Sequence, residues 1–594
     1  MTTEKISFLV SGFLPEYEDK IMRVLISGSY SECSVFCGVS EPLLIRLGKA
    51  SESYFPSLTA SIKDWLRQGQ AEVESRASPS SPAAVAAAGA AAPVTAGKRV
   101  SIAKVTISFS PLLVSPLGDS GFFVPSCAGF FPALGDDAPT GKDHTELSLS
   151  SQRHVDLASA ALAEMLGQRN WHSYFFSLGP TAELVGRRLS EVYQQPAQPG
   201  SHASVLLIDR TLDLVGPCLH TDHLLDQMFS TVPRKTAFSI DLSINLDPLL
   251  HPGSDQAMLL PDISGTLSTA GTTSEELQRL QRALLEEHSR GALTAVKKAL
   301  VDIATKEKLA MKAPKGLGKV TLPQLCEMME AFSSSSPAFS KHLPILQLVS
   351  AVIQTLKTRE ADKWEELMGV EKMLMATLTE GESVLQQLCE LIQGDDGGPR
   401  FTLNQILILG VLVYSLLGEE DFAATEGAAE AAFREAVQRV LSRADGSEEI
   451  TLAAREKTEH IFAKLQGVHK GRAGLATYKS LVDREGESPY VPLVRRVVED
   501  LFDEAKGDIP DIVQAHPPEN VQQKGFLSSF SQYLVKGKAR PDARAVLVVF
   551  VIGGITCNEI KDVLEVVSRN KNEQILIGGT DIITPKEVYS SVFL

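Results

Sequence analysis

Ala203-Ser-Val-Leu-Leu-Ile-Asp209 is a nearly unbroken apolar run that ends in a carboxylate, the pattern of a parallel strand covered on both faces by helices. Its twin is Ala545-Val-Leu-Val-Val-Phe-Val-Ile552. The second run leads into Gly553-Gly554-Ile-Thr556, and a helical pattern begins near Cys557; Thr556, with Glu559 three residues on, has capping-box spacing. Gln574 to Ile577 supplies a further short apolar strand. Strand, helix and strand within about 35 residues make a βαβ unit of an open parallel sheet.

Between the two runs the pattern changes. From Ser274 to Leu501 there is almost no period-two alternation, but apolar residues recur at three- and four-residue spacing: Leu277, Leu280, Leu284; Ile345, Leu348, Val352, Leu356; Leu374, Leu378, Val384, Leu388. This predicts about ten helices. With like sheet segments on either side, the simplest topology inserts a helical domain into an α/β one. Upstream, Ile6 to Val10 and Ser34 to Cys37 read as strands and Glu18 to Leu25 as a helix, while residues 70–97, rich in Ser, Pro and Ala, read as a disordered surface insertion. The expected fold class is therefore α/β in three parts. Residues 1–150 form an α/β domain, 151–232 and 505–594 a split α/β domain, and 233–504 the helical domain.

Composition narrows the function. At 594 residues, three or four domains of about 150 residues are expected, which excludes a lone small binding module. Apolar residues make up 44% of the chain and charged residues 22%, enough to build cores and too many for wholesale disorder. A net charge of −16 opposes any overall electrostatic grip on nucleic acid or an anionic membrane. Seven scattered cysteines fit a reducing cytosol better than a disulfide framework. No apolar stretch follows a basic region at the amino terminus, so no secretory signal is expected. The longest apolar runs, Ile406 to Leu417 and Ala545 to Ile552, fall short of the roughly 20 residues that span a bilayer.

Several constellations invite a chemical reading. Asp209-Arg210-Thr-Leu-Asp213 lies at the carboxyl end of a buried strand, where α/β proteins place ligand sites; the structural alternative has the carboxylates accepting turn amides and pairing with Arg210. His220, Asp222 and His223 carry donor types that zinc accepts, yet no second cluster supplies further ligands, and a hydrogen-bonded turn is expected. Cys33 and Cys37 read as two small buried residues. Neither a phosphate-binding glycine loop nor a nucleophile elbow occurs in the right context. Charge placement says more. Leu293 to Val320 holds Lys297, Lys298, Lys306, Lys308, Lys312, Lys315 and Lys319 against Asp302 and Glu307, a balance of +5, whereas Arg359 to Glu435 carries −11. Solvated helix faces are the default, and docking of an acidic helical partner is the alternative.

Val205-Leu-Leu-Ile-Asp209-Arg210-Thr-Leu-Asp213 followed by Pro217-Cys-Leu-His220 resembles a signature of the Sec-one/Munc-eighteen (SM) family of SNARE-regulating membrane-fusion proteins. Ile552-Gly553-Gly554-Ile-Thr556-Cys-Asn-Glu559 resembles a second, and Ile575 to Thr584 the closing strand and turn. Ser340-Lys-His342-Leu and Ser488-Pro489-Tyr-Val-Pro492-Leu match further pieces, in the family's order. Within the family a divergent branch is most similar. The chain departs from the pattern at Thr221, where the family has Glu, in lacking an evident Asp-x-x-Trp stretch, and in residues 1–150, which match only in outline.

The resemblance implies an arch of an α/β first domain, a split α/β second domain and an inserted helical third domain, whose helical hairpin falls near residues 290–345 and carries the lysines. It implies a monomeric, non-enzymatic protein without cofactor. Its partners would be SNARE proteins, syntaxin-like or in an assembling bundle, and tethering-complex subunits, with membranes met only through those partners. It would be cytoplasmic, at endomembranes of the endoplasmic reticulum and Golgi. Two alternatives stay open: a scaffold for a tethering complex without SNARE templating, and a small-ligand enzyme at Asp209, Asp213 and His220.

Overall fold

The computed structural model describes residues 4–77, 104–110, 113–198, 200–234, 242–244, 263–265, 274–311, 320–333, 335–394, 400–442, 448–482, 488–503, 505–515, 541, 546–570 and 574–594. The chain divides into two units. One comprises Met1–Val114, Asp156–Arg169 and Val192–Gln194; the other comprises Ser115–Val155, Asn170–Glu191 and Gln195–Leu594.

In the first unit, β1 (Glu4–Val10), β2 (Tyr30–Cys37) and β3 (Lys104–Phe109) form a parallel sheet in that order. The alternation of β2 turns Cys33, Val35 and Cys37 inward, as a half-buried strand requires. Burial pushes both thiols up to about 11, in keeping with their reading as small core residues. The Glu18–Ser27 helix buries Ile21 and Leu25. The insertion expected from residue 70 starts later, because the Tyr54–Ala77 helix continues through Gln70-Ala-Glu-Val-Glu-Ser-Arg-Ala77. Those residues are mostly good helix formers, and Gln70 Nε2 donates to the Tyr30 carbonyl at 2.7 Å. The rest of the expected insertion, 78–97, lies outside the described residues.

The second unit holds β4 (Ser115–Leu117), β5 (Gly121–Phe123), β6 (Trp171–Leu178), β7 (Ser201–Asp209), the small pair β8 (Leu242–Ile244) and β9 (Ile263–Gly265), β10 (Val513–Gln514), β11 (Val546–Ile552) and β12 (Ile575–Gly579). Its main sheet has the order β10-β6-β7-β11-β12-β5-β4. The five inner strands are parallel, and β10 and β4 are antiparallel, so the sheet is mixed rather than purely parallel. The two apolar runs are neighbours at its centre, in register from Val546 against Ala203 to Ile552 against Asp209. Burial on both faces explains why neither alternates.

Between β7 and β11 in the chain, the described residues hold twelve helices from Glu275–Glu286 to Leu493–Phe502. Leu277, Leu280 and Leu284 face the core, as do Ile345, Leu348 and Val352, with Leu356 half-buried. The Leu403–Leu416 helix is buried at every position from Ile406 on, which is why its sequence is apolar all round. No helix among the described residues is long and apolar enough to cross a membrane.

Where β11 ends, Gly553 and Gly554 take φ of +105° and +97°, values that side chains rarely adopt. A Cβ on Gly553 would also meet Arg210 Cβ at 2.6 Å and Pro132 Cδ at 2.7 Å. Gly553→Ala is therefore expected to cost about 2–4 kcal/mol, read as a lowered denaturation midpoint. A midpoint equal to that of the parent would show that the turn does not need glycine there.

Candidate functional site

The signature residues meet at the carboxyl end of the central strands. Asp209 accepts from the Thr181 amide at 2.9 Å and from the Thr211 amide and hydroxyl at 3.0 and 2.7 Å. Asp213 accepts from the Val215 amide at 2.9 Å through one oxygen, and from the Tyr490 hydroxyl and the Leu493 amide, both at 2.8 Å, through the other. Both carboxylates thus satisfy turn and helix-start amides. They do not pair directly with Arg210, contrary to the expectation. Its guanidinium instead forks onto Glu559, Nη1 to Oε2 at 2.8 Å and Nη2 to Oε1 at 2.9 Å. Glu559 is simultaneously the third-residue partner in the Thr556 capping box. Gly553 and Gly554 give the chain the turn that brings this helix start to Arg210, and Gly554 offers its carbonyl to Nη1 at 3.4 Å.

This cluster is closed to solvent: Asp209 and Arg210 are 1% exposed, and Asp213 and Glu559 0%. Burial raises the carboxyls of Asp209 and Glu559 despite the donors around them. Burial likewise pushes the Tyr490 hydroxyl and the Cys218 and Cys557 thiols well up. Chemically the arrangement is a tie between the end of β7, the start of the Cys557–Arg569 helix and the start of the Leu493–Phe502 helix. Pro217 is buried in the short Val215–Cys218 helix beside it.

His220 belongs to an adjoining network that the sequence reading missed. Its amide donates to Glu371 Oε2 at 2.8 Å, and its Nδ1 lies 2.6 Å from Oε1 of the same carboxylate. Trp364 packs edge-on against the His220 ring at 4.5 Å and donates its indole N–H to the Thr221 carbonyl at 2.9 Å. Thr221, standing where the family pattern has Glu, donates its hydroxyl to Asp226 at 3.1 Å. Asp226 in turn accepts from the Cys557 and Asn558 amides at 2.8 and 3.1 Å. His223 Nε2 faces the Leu285 carbonyl at 3.0 Å, and Asp222 is exposed. No group of three or more His, Cys, Asp or Glu placed to hold a metal occurs among the described residues.

Removing Glu371 strands the His220 amide, so Glu371→Ala is expected to cost about 2–3 kcal/mol. The check is a chemical-denaturation midpoint followed through tryptophan emission, since Trp364 shares the network. A variant as stable as the parent would mean that Glu371 holds nothing there.

Of the seven lysines, Lys297 is half-buried and Lys298 exposed on the Ser289–Lys306 helix. Lys306 is paired with Glu276 of the preceding helix, and its hydrogen bond draws that carboxyl down to about 2. Lys308 is exposed at a φ of +55°. Glu307 takes hydrogen bonds from Lys341 at 2.8 Å and His342 at 2.9 Å. The charge is therefore partly compensated within the fold. Lys312, Lys315 and Lys319 lie outside the described residues. The acidic stretch is likewise not one solvated face, because Glu371 and Glu426 are buried, the latter accepting from the Val384 and Leu385 amides at 2.8 and 2.9 Å.

A profile described as Sec1 family matches residues 284–591, just over half of the chain. The chain is similar to Sec1 family domain-containing protein 2 of Mus musculus, 26% identical over 530 residues that cover 81% of this chain and 76% of that protein. This is the divergent branch expected from the motifs. Among solved structures, the chain resembles the Unc18–syntaxin 1 complex from Monosiga brevicollis at a TM-score of 0.51, with 13% identity, covering 99% of this chain and 88% of that one. It also resembles Sly1p in complex with an N-terminal peptide of Sed5p, at a TM-score of 0.51 and 14% identity, over 100% and 84% of the two chains. At such identities the structural likeness speaks for the fold, and it is the fold that the motifs implied.

Proposed function

The chain belongs to the Sec1 family, and on that premise we propose that it is a non-enzymatic protein that binds SNAREs and promotes vesicle docking and membrane fusion in intracellular protein transport. The observation that carries this reading is the family match over residues 284–591, which takes in the lysine-bearing helix and the closing strands together. Two proteins of like fold are solved with syntaxin 1 or with a Sed5p peptide, which supports the same class of partner here. The insertion of a helical domain at residues 233–504 belongs to this proposal, with work at the cytoplasmic face of endomembranes. Holding a partner helix in register lowers the ordering cost of assembly, and no bond need be made or broken. The occupied, buried carboxylates of Asp209, Asp213 and Glu559 favour a structural role for the signature over a ligand-binding one.

The lysines are the proposed contact. Reversing Lys298, Lys308, Lys312, Lys315 and Lys319 to Glu is expected to weaken SNARE binding at least about tenfold and to flatten its dependence on salt. Unchanged affinity and salt dependence would remove these lysines from the interface while leaving the family reading intact.

A further inference from the structure

Beside the His220 network the second unit holds a pocket of about 230 Å³. Its lining is largely apolar, with Trp364, Leu367 and Ile408 buried and Tyr589 half-buried. The charged residues that line it are Lys363 and Lys586, with His220 beside them and no carboxylate. Both lysines are exposed, and neither forms an ion pair among the described residues. A carboxylate can only accept, so the 2.6 Å contact with Glu371 makes Nδ1 of His220 the donor and holds the ring at the pocket's edge. In a chain of net charge −16, a pocket with an apolar floor, flanked by two exposed lysines and lined by no carboxylate, is complementary to an apolar group carried between carboxylates.

We infer that this pocket docks a short acidic segment of a partner protein, with one large apolar side chain, Trp or Leu, in the pocket and neighbouring Asp or Glu side chains on Lys363 and Lys586. Peptide anchors of this kind take most of their affinity from one buried aromatic or aliphatic group. The pocket shares no residue with the lysine-bearing helix, so it is a site beyond the proposed SNARE contact.

The test is fluorescence anisotropy with the full chain and a labelled peptide of sequence Glu-Asp-Trp-Glu-Asp. Saturable binding is expected. Lys363→Glu and Lys586→Glu should each weaken it about tenfold, Asn404→Trp, at an exposed residue of the lining, should block it by taking up the pocket's space, and Ala in place of the peptide's Trp should abolish it. Both lysines are exposed, so a thermal melt matching the parent's confirms that charge rather than folding is being read. The proposal is overturned by an absence of saturable binding, by equal binding of the peptide with Lys at its acidic positions, or by binding that the three substitutions leave unchanged. It is also overturned if Lys363 and Lys586 are needed instead for binding phosphatidylserine vesicles while the peptide does not bind. A chain that binds no SNARE but gives the expected titration leaves this site standing and removes the SNARE reading.

Discussion

Arg210→Met is expected to lower stability by about 3–5 kcal/mol, because it leaves the Glu559 carboxylate buried with its main counter-charge gone. The loss arises on the side of the partner that remains. Glu559 would have to take up a proton or admit water, at a position with no exposure to solvent. Replacing both residues, Arg210→Met with Glu559→Met, should recover a large part of the loss, since two apolar side chains of similar volume need no counter-charge. Recovery would stay incomplete, because Glu559 also accepts the Thr556 amide at 3.0 Å. Denaturant midpoints of the parent, both single variants and the double variant form the cycle that measures this coupling. Additive losses would show that the fork contributes nothing as a pair.

Asp213→Ala is the second substitution with a large expected effect, about 4 kcal/mol or more. It removes a carboxylate that satisfies two buried amides and a buried hydroxyl, and each stranded donor costs about 1–3 kcal/mol. The two amides belong to segments far apart in sequence, Val215 just after β7 and Leu493 at the start of the helix from which the chain returns toward the sheet. Tyr490→Phe removes the hydroxyl and leaves both amide bonds in place, so it should cost only about 1 kcal/mol. Hydrogen exchange at Leu493 separates the two variants: it should speed up strongly in Asp213→Ala and little in Tyr490→Phe. Equal exchange in both would mean that Asp213 is not what anchors this helix.

How much of this was legible in the sequence depended on how local each signal is. The unbroken apolar runs of β7 and β11 report burial on both faces, and their likeness to each other already suggested one sheet. The Thr556 and Glu559 box was readable because its partners stand three residues apart. Arg210 and Glu559 are separated by 349 positions, and no periodicity links two such residues; from the strand end alone, the nearby Asp213 looked the better partner. Glu371 lies 151 residues from His220 and inside the −11 stretch, where one more acidic residue reads as solvated surface. The helix through Ala77 was hidden by the low-complexity composition that follows it. Lys306 looked available to a partner because Glu276, its counter-ion, sits 30 residues upstream.

SNARE binding is tested most directly by titrating the purified full chain against a panel of SNARE cytosolic domains, single and pre-assembled, at near-physiological salt. At least one member should bind saturably with a Kd in the micromolar range or tighter, about −8 kcal/mol, and lose affinity as salt rises. A panel in which every member binds no better than an unrelated helical protein would contradict the proposed function.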